Sequence, residues 1–495
     1  MAFWSRWFKQ KPDVRKIEKR KFEAAKPSNI AGGFGIGTQR GPVEEIRWDL
    51  QGLLAHSRQQ AQNNDYLKGY LDILRRNVIG HSGIGLQNKA LMDTGKAPDK
   101  LANDKIEVAF DEWGKLKNCT LDGSLSWKSL QAVAVQTMAR DGTVLVREYK
   151  GRQYGIFGYQ LQLMEIDHLD IKMNKRLSAG GTIRMGIEFD AAGQKVAYHL
   201  FKFHPGDLQI GLAQDRIRVP ADQMFLMFRP ERPGQILGVP WAYSSLRRLN
   251  MTRGYEEASI TAARVGASQM GFYVPTTDTS EMEPSEIIDL AASDKGHLIK
   301  EMEPGIIETL PVGYEYKSND AKYPTAEFGP FMRTVIQGAA AGLGVSYPTL
   351  GNDLTGANFS SLRAGKGEER DEWRDIQAMV AEQLHDRVFS SWLPMAMLAG
   401  KVNLPISKLE KFAKPTWRGR GWAYVSPGEE ASANQREMAA MIRSPQEILA
   451  ERGTDLETVF ADIKAAKDLA KTFNLEFDPQ PPGHETGGTP PPNAP

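Results

Sequence analysis

Residues Ala340 to Gly365 read AAGLGVSYPTLGNDLTGANFSSLRAG, and this stretch decides the fold. A run of small helix-forming residues stops at Gly344, and Pro348, Gly351 and Gly356 follow with Asn352 and Asp353 among them. Helix-favouring sequence resumes near residue 360. Gly and Pro are the strongest local breakers of regular structure, so residues 345–360 are expected to be a loop between two helices. Such a loop either reaches away from the helices or is a plain connection; length alone does not choose.

Outward from the break the helical signal is strong on both sides. One helix is expected over 326–343 and a long amphipathic one over 360–397. A further helix is expected over 238–268, GVPWAYSSLRRLNMTRGYEEASITAARVGAS. Between the helices at 238–268 and 326–343 lies a strand-like, Pro- and Gly-containing insert, residues 271–325. Small residues mark both helices: Ala262, Ala263 and Gly266 in the first, Gly338, Ala339 and Ala340 in the second. They allow close helix approach, or they belong to ordinary buried Ala-rich helices.

Upstream, helices are expected over 44–80, ending at Gly80, over 103–117, and from a Ser126 cap to Gly142. The apolar period then shifts to two in TVLVREY, YQLQLMEID and MFLMFRPE, with FDAAGQKVAY as a hairpin. Residues 40–235 therefore read as an α+β unit. Downstream, short strands are expected over 403–425, followed by helices opened by Ser426-Pro427 and Ser444-Pro445. The N-terminal 40 residues form a basic arm with a Gly-rich linker, and the Pro-rich residues 473–495 are expected to be disordered.

Composition narrows the function. The 495 residues carry a net charge of +1, whereas a protein that merely coats nucleic acid would be strongly basic. The single cysteine, Cys119, excludes an intrachain disulfide and reads as a buried small hydrophobe. No stretch approaches the roughly 18 apolar residues of a membrane span, and no signal-peptide core follows the N-terminus; the chain is expected to stay in the cytoplasm where it is made. No zinc, P-loop or nucleophile-elbow motif is present, no cofactor is implied, and no metal is expected. EIDHLD sets His168 between Asp167 and Asp170, which is either a metal corner or a strand end with solvated carboxylates.

Two stretches carry more specific information. RPERPGQILGVPW, Arg229 to Trp241, and the quoted block from Ala340 to Gly365 resemble the lambda-type family of phage portal proteins. NVIGHSGIGLQ, LQLMEIDHLD, GIEFDAAGQKVAYH and WAYVSPGEEASANQ match in the same order, from Asn77 to Gln435. Phe359 stands where the family usually has Tyr, a conservative change.

The resemblance implies a portal fold assembling as a homo-oligomeric ring, a dodecamer in resembling virions, at one capsid vertex. It implies a wing over 41–237, stem helices over 238–270 and 326–344, a clip over 271–325 and a tunnel loop over 345–360. Wing return strands and a long helix follow over 361–425, and crown-like helices over 426–472. The stem contacts would fall to the six small residues named above. Asn352, Asp353, Leu354, Thr355 and Asn358 would face double-stranded DNA. Arg363 and Lys366 would either meet its phosphates weakly or pair with Glu368 or Glu369. Tyr273, Tyr314, Tyr316 and Tyr323 would be docking anchors for terminase or head-completion proteins, unless they are core. Major capsid protein and scaffold are the other implied partners. The rival expectations are a DNA-binding head protein working through its basic arm and a phage-encoded hydrolase.

Overall fold

The computed structural model describes residues 41–95, 97–178, 180–207, 215–267, 271–275, 314–318, 327–355, 359–422, 427–451, 456–473 and 475. The basic arm and, apart from residues 473 and 475, the Pro-rich tail lie outside them. Helix α1 (Pro42–Asn63) opens with Pro42, whose missing N–H costs nothing there. Asn64 ends α1 and caps α2 (Asp65–Leu74), its side-chain oxygen accepting from the N–H groups of Tyr66 and Leu67. A π-turn, Arg75–Ile79, extends α2 to Gly80 at φ +73°. Strand β1 (Gly85–Asn88) follows, then α3 (Lys100–Trp113) capped by Asp99, and short α4 (Leu116–Cys119). Helix α5 (Trp127–Asp141) begins at the expected Ser126 cap and stops at Gly142.

Two antiparallel sheets carry the period-two segments. In the first, β2 (Thr143–Lys150) is central between β3 (Tyr159–Glu165) and β9 (Met224–Phe228). The second is a five-stranded meander of β4 (Lys175–Arg176), β5 (Thr182–Arg184), β6 (Ile187–Phe189), β7 (Lys195–Phe201) and β8 (Arg216–Pro220). The β6–β7 pairing, Ile187 opposite Tyr198, is the expected hairpin.

Helix α6 (Leu246–Ala267) leads to a ladder of β10 (Gly271–Pro275) with β11 (Tyr314–Ser318), and α7 (Phe328–Leu343) follows. Next come α8 (Tyr347–Gly351), α9 (Phe359–Val380), a π-turn at Ala381–His385, and α10 (Asp386–Leu398). After α11 (Leu409–Phe412), β12 (Pro415–Arg418) pairs with β1, joining distant parts of the chain. Helices α12 (Pro427–Ala439), α13 (Pro445–Glu451) and α14 (Leu456–Thr472) complete the described chain. Ser444 and Glu447 form a reciprocal capping box on α13. Among the described residues no helix is long and apolar enough to cross a membrane.

The main core is aromatic. Trp113, Trp392, Phe110, Phe157, Phe389 and Tyr159 are each almost fully buried, drawn from α3, β3 and α10 and the chain between. Phe110 meets Trp392 edge-on at a 4.9 Å centroid distance, a favoured aromatic geometry. The smaller core packs Leu50 and Leu54 of α1 with Met185, Ile187, Leu200 and Val219 of the meander. Helices segregated from antiparallel sheets confirm the α+β expectation.

Four expectations need correction. The helix expected from 238 begins only at Leu246, because residues 238–245 lie over the end of α5. There the Gly238 N–H donates to Thr143 Oγ1 (2.8 Å) and the Trp241 N–H to the Ala139 carbonyl (3.0 Å). The loop expected over 345–360 contains a helical turn, α8, since Pro348 sits at its start, where proline is compatible with a helix. Of the strands expected over 403–425 only β12 forms among the described residues, and residues 406–412 are helical turns. The helical stretch expected over 44–80 is interrupted at Asn64, whose extended backbone (φ −120°, ψ 119°) ends α1 while its side chain caps α2.

Gly142 is the tightest point of the frame. It sits at φ +79°, and a Cβ there would lie 2.3 Å from the Val239 carbonyl carbon. Gly142→Ala should lower stability by about 3 kcal/mol, from backbone strain and an immovable backbone contact together. Gly338→Ala meets only the mobile end of Arg248 and should cost under about 1 kcal/mol. Urea unfolding of the two variants checks the ordering, and equal losses would contradict it.

His385 gives a second test. It is fully buried between Trp127 and Trp417, its Nδ1 3.1 Å from the Val380 carbonyl. Burial pushes its pKa down from 6.5 to about 4. The unfolded chain takes up the proton first, so stability is whole above pH 6.5 and falls as the pH drops towards 4. The contribution from this group is about 3 kcal/mol across that window. His385→Gln should flatten that part of the stability–pH curve, whatever its effect at neutral pH.

Candidate functional site

Helices α6 and α7 meet through small residues. Ser245 Oγ donates to the Ala339 carbonyl (3.2 Å) and Ser244 Oγ to the Gly342 carbonyl (3.5 Å). A Cβ at Gly342 would stand 2.3 Å from Ser245 Oγ, and one at Gly338 would stand 1.8 Å from Arg248 Nη1. Gly338 and Gly342 thus share one face of α7 four residues apart, with Ala339 and Ala340 buried beside them. Of the six small residues expected at helix contacts, Gly338, Ala339 and Ala340 lie at this one. Ala262 and Ala263 are only half-buried within one chain, and Gly266 falls in the last turn of α6. Gly342 was missed in the sequence, although its spacing from Gly338 carried the signal.

Further along the same pair, Tyr255 of α6 stacks on Phe328 (5.7 Å) and meets Phe331 edge-on (5.0 Å). Met251, Tyr255, Phe331, Met332 and Val335 line an open groove of about 520 Å³ between the helices. Met251 remains 65% exposed and Phe331 52%, so one chain leaves this apolar face uncovered.

The segment after α7 is held by two carboxylates. Gly344, at φ +70°, ends α7. Glu369 of α9, buried, accepts from the Ser346 N–H (2.6 Å) and from Thr349 Oγ1 (3.0 Å), strapping the start and the middle of α8 to α9. Asn352 then takes the left-handed conformation at φ +49°, which Asn tolerates better than most residues. Asp353 accepts from Arg333 Nη2 (3.0 Å), Tyr347 Oη (2.8 Å), the Thr355 N–H (2.9 Å) and the Thr355 hydroxyl. Bonds from Thr355 above all, then Tyr347 and Arg333, hold the Asp353 carboxyl well below the usual carboxylate range. Leu354 is exposed at the apex.

The structure thus gathers Asn352, Asp353, Leu354 and Thr355 in one turn. Asn358 lies outside the described residues. Arg363 pairs with Glu429 of α12 (3.6 Å), not with Glu368 or Glu369, which lie five and six residues further along α9 and so off its face. Lys366 is exposed on α9. Arg333, Tyr347 and Glu369 organise this turn and had no sequence signal, since each acts on a partner at least six residues away. Tyr273 pairs with Tyr316 and Pro275 with Tyr314 in the β10–β11 ladder. Tyr323 lies outside the described residues.

The EIDHLD corner is an ion-pair network rather than solvated carboxylates. Asp141, its side chain fully buried, accepts from Arg58 and Arg140. Arg58 also bonds Asp167, Arg140 bonds Glu165 (2.7 Å), and Arg216 bonds the buried Asp170 (2.7 Å). Glu165, Asp167 and His204 bring their ligand atoms within 4.8 Å of one another, but both carboxylates are held by arginines. His168 Nδ1 instead lies 3.3 Å from the Phe201 carbonyl.

The sequence model of the lambda family of phage portal proteins matches residues 35–377. The chain is 33% identical over 446 residues to the probable portal protein of Halomonas phage phiHAP-1, spanning 90% of this chain and 85% of that one. It is 21% identical over 475 residues to portal protein B of Escherichia phage lambda, spanning 87% of each. Among solved structures it superposes on a chain from the neck of an empty GTA particle with a TM-score of 0.47 and 13% identity, spanning 82% of this chain and 94% of that one. The resemblance seen in the ordered motifs is therefore borne out by a match over most of the chain, and the chain belongs to the lambda family of phage portal proteins.

Proposed function

We propose that this chain closes into a homo-oligomeric ring, a dodecamer, whose stem is built from α6 and α7 and whose channel passes double-stranded DNA without reading its sequence. As a portal protein it is a structural part of the virion at the capsid's portal vertex, the route of DNA packaging, and not an enzyme. The observation that carries the ring is the open apolar groove between α6 and α7, with Met251 and Phe331 left exposed in one chain. A cyclic head-to-tail assembly covers such a face with the next copy.

The other parts follow the same frame. The residues from 41 to 237, with the return over 361–425, form the wing that meets major capsid protein and scaffold. The β10–β11 ladder belongs to the clip, where Tyr273, Tyr314, Tyr316 and Tyr323 anchor terminase during packaging and a head-completion protein afterwards. Helices α12 to α14 form the crown, and exposed Phe460 and Leu469 of α14 await a neighbour there. The turn at Asn352–Thr355 lies against the DNA. Assembly takes place in the host cytoplasm.

Electron microscopy of the purified protein is the test. It should show closed rings with a central hole, and Phe331→Glu together with Met251→Glu should shift the population at least tenfold towards single chains while the fold survives. A chain that stays monomeric under every assembly condition, with scaffold and capsid protein present, contradicts the ring.

A further inference from the structure

We infer that Arg333 masks the charge of Asp353, so that the Asn352–Thr355 turn presents DNA with a surface of no net charge, pinned to α7. The inference rests on the proposal that this turn faces the duplex, and it assigns a positioning role to a residue of the stem.

The geometry converges on one carboxylate. Asp353 accepts from both the N–H and the hydroxyl of Thr355, from Tyr347 Oη at 2.8 Å and from Arg333 Nη2 at 3.0 Å. The same Arg333 nitrogen reaches Thr355 Oγ1 at 3.2 Å, and the guanidinium lies 5.8 Å from the centre of the Tyr347 ring. Arg333 is therefore fixed by a charge, a hydroxyl and a ring face, all contributed by the segment it holds. Its own helix supplies no carboxylate: α7 reads FGPFMRTVIQGAAAGL.

Fold stability does not explain the pair. Asp353 and Arg333 are partly solvated, with side chains 23% and 47% exposed. Pairs of that kind contribute from nothing to about 1 kcal/mol. The segment is already anchored by the Glu369 strap and by buried Leu343, Val345 and Leu350. What the pair does change is the field outside the turn. An unpaired Asp353 in every subunit would repel phosphates, and an unpaired Arg333 would grip them and release counterions. A duplex must slide past this point, so a bare charge of either sign impedes it. The Asp353 carboxyl, held ionised far below neutral pH, keeps the pair intact throughout the physiological range.

The test uses full-length rings carrying Asp353→Asn, Arg333→Gln or both. Asn matches Asp in size and keeps a carbonyl oxygen for the Thr355 N–H, so the first change removes charge without removing the turn. Affinity for a short DNA duplex of random sequence is measured against salt concentration. Asp353→Asn should tighten binding about tenfold at low salt and steepen the log–log salt slope by roughly one unit for each arginine that gains a phosphate. Arg333→Gln should flatten the slope in the Asp353→Asn background, whereas in the wild-type background it removes no phosphate contact and, by baring Asp353, should weaken binding at low salt. That non-additivity is the signature of masking. If the gain from Asp353→Asn survives in the double variant, Arg333 contributes nothing and the inference falls. Exchange of the Thr355 amide proton separates the two layers. Faster exchange in Arg333→Gln with salt slopes equal in all four proteins would keep the pin but overturn the masking, because the turn would not face DNA. Unchanged exchange together with equal slopes would overturn both.

Discussion

Where Gly142 meets Gly238 and Val239, two backbones come closer than any side chain permits, and the rest of the chain takes its bearings from that contact. A Cβ on Gly238 would stand 2.1 Å from the Gly142 carbonyl oxygen. Gly142 ends α5 and opens β2, so its position follows from the aromatic core that holds α5. Gly238 opens the turn that delivers Ser244, Ser245 and Arg248 to α7. The placement of α6 and α7 is therefore set by the sheet and helices of the N-terminal half. Once α7 is seated, Gly344 and the Glu369 strap determine where α8 and the Asn352–Thr355 turn stand. At Gly142, Gly238 and Gly342 the logic is steric, because the neighbours are backbone or buried hydroxyl rather than yielding side chains, whereas Gly344 is needed for its positive φ and the Glu369 strap acts through hydrogen bonds.

Electrostatics in this chain is chiefly a matter of pairing. The balanced composition, 62 basic against 61 acidic residues, has a local counterpart in Arg58 and Arg140 on Asp141, Arg218 on Glu188, and Lys408 and Lys411 on Asp93. Most of these pairs are half-exposed and add little to stability individually. Buried Asp141 is different, since losing either arginine would leave a charge poorly compensated in the interior. For the proposed role, a surface that borders DNA without holding it, paired charges suit the task better than an excess of either sign.

Much of the frame was legible in the sequence because local physics set it. The Ser126 cap, the stops at Gly80 and Gly142, the β6–β7 hairpin and the capping box at Ser444 and Glu447 depend on neighbours a few residues apart. The turn at Asn352–Thr355 was foreshadowed by Gly, Pro, Asn and Asp in one short run. What the sequence concealed depends on contacts across the fold. Trp241 donates to Ala139, so a run with helical character is held non-helical as far as Ser245. Glu369 reaches back 23 residues to Ser346. Arg333 meets Asp353 from 20 residues away, and nothing in the composition of α7 singles it out.

The central claim, that the Asn352–Thr355 turn borders the DNA path, has a direct measurement. Cys119 is fully buried and burial pushes its thiol pKa up, so a cysteine introduced on the surface becomes the reactive one. Leu354, 62% exposed at the apex of the turn, and Leu398, 64% exposed at the end of α10, are equally open in a single chain. Particles assembled with Leu354→Cys or Leu398→Cys would each carry a tethered iron chelate that cuts DNA within reach. Cleavage of packaged DNA from position 354 and none from position 398 is the predicted result. Cleavage from 398 with none from 354 would contradict the account.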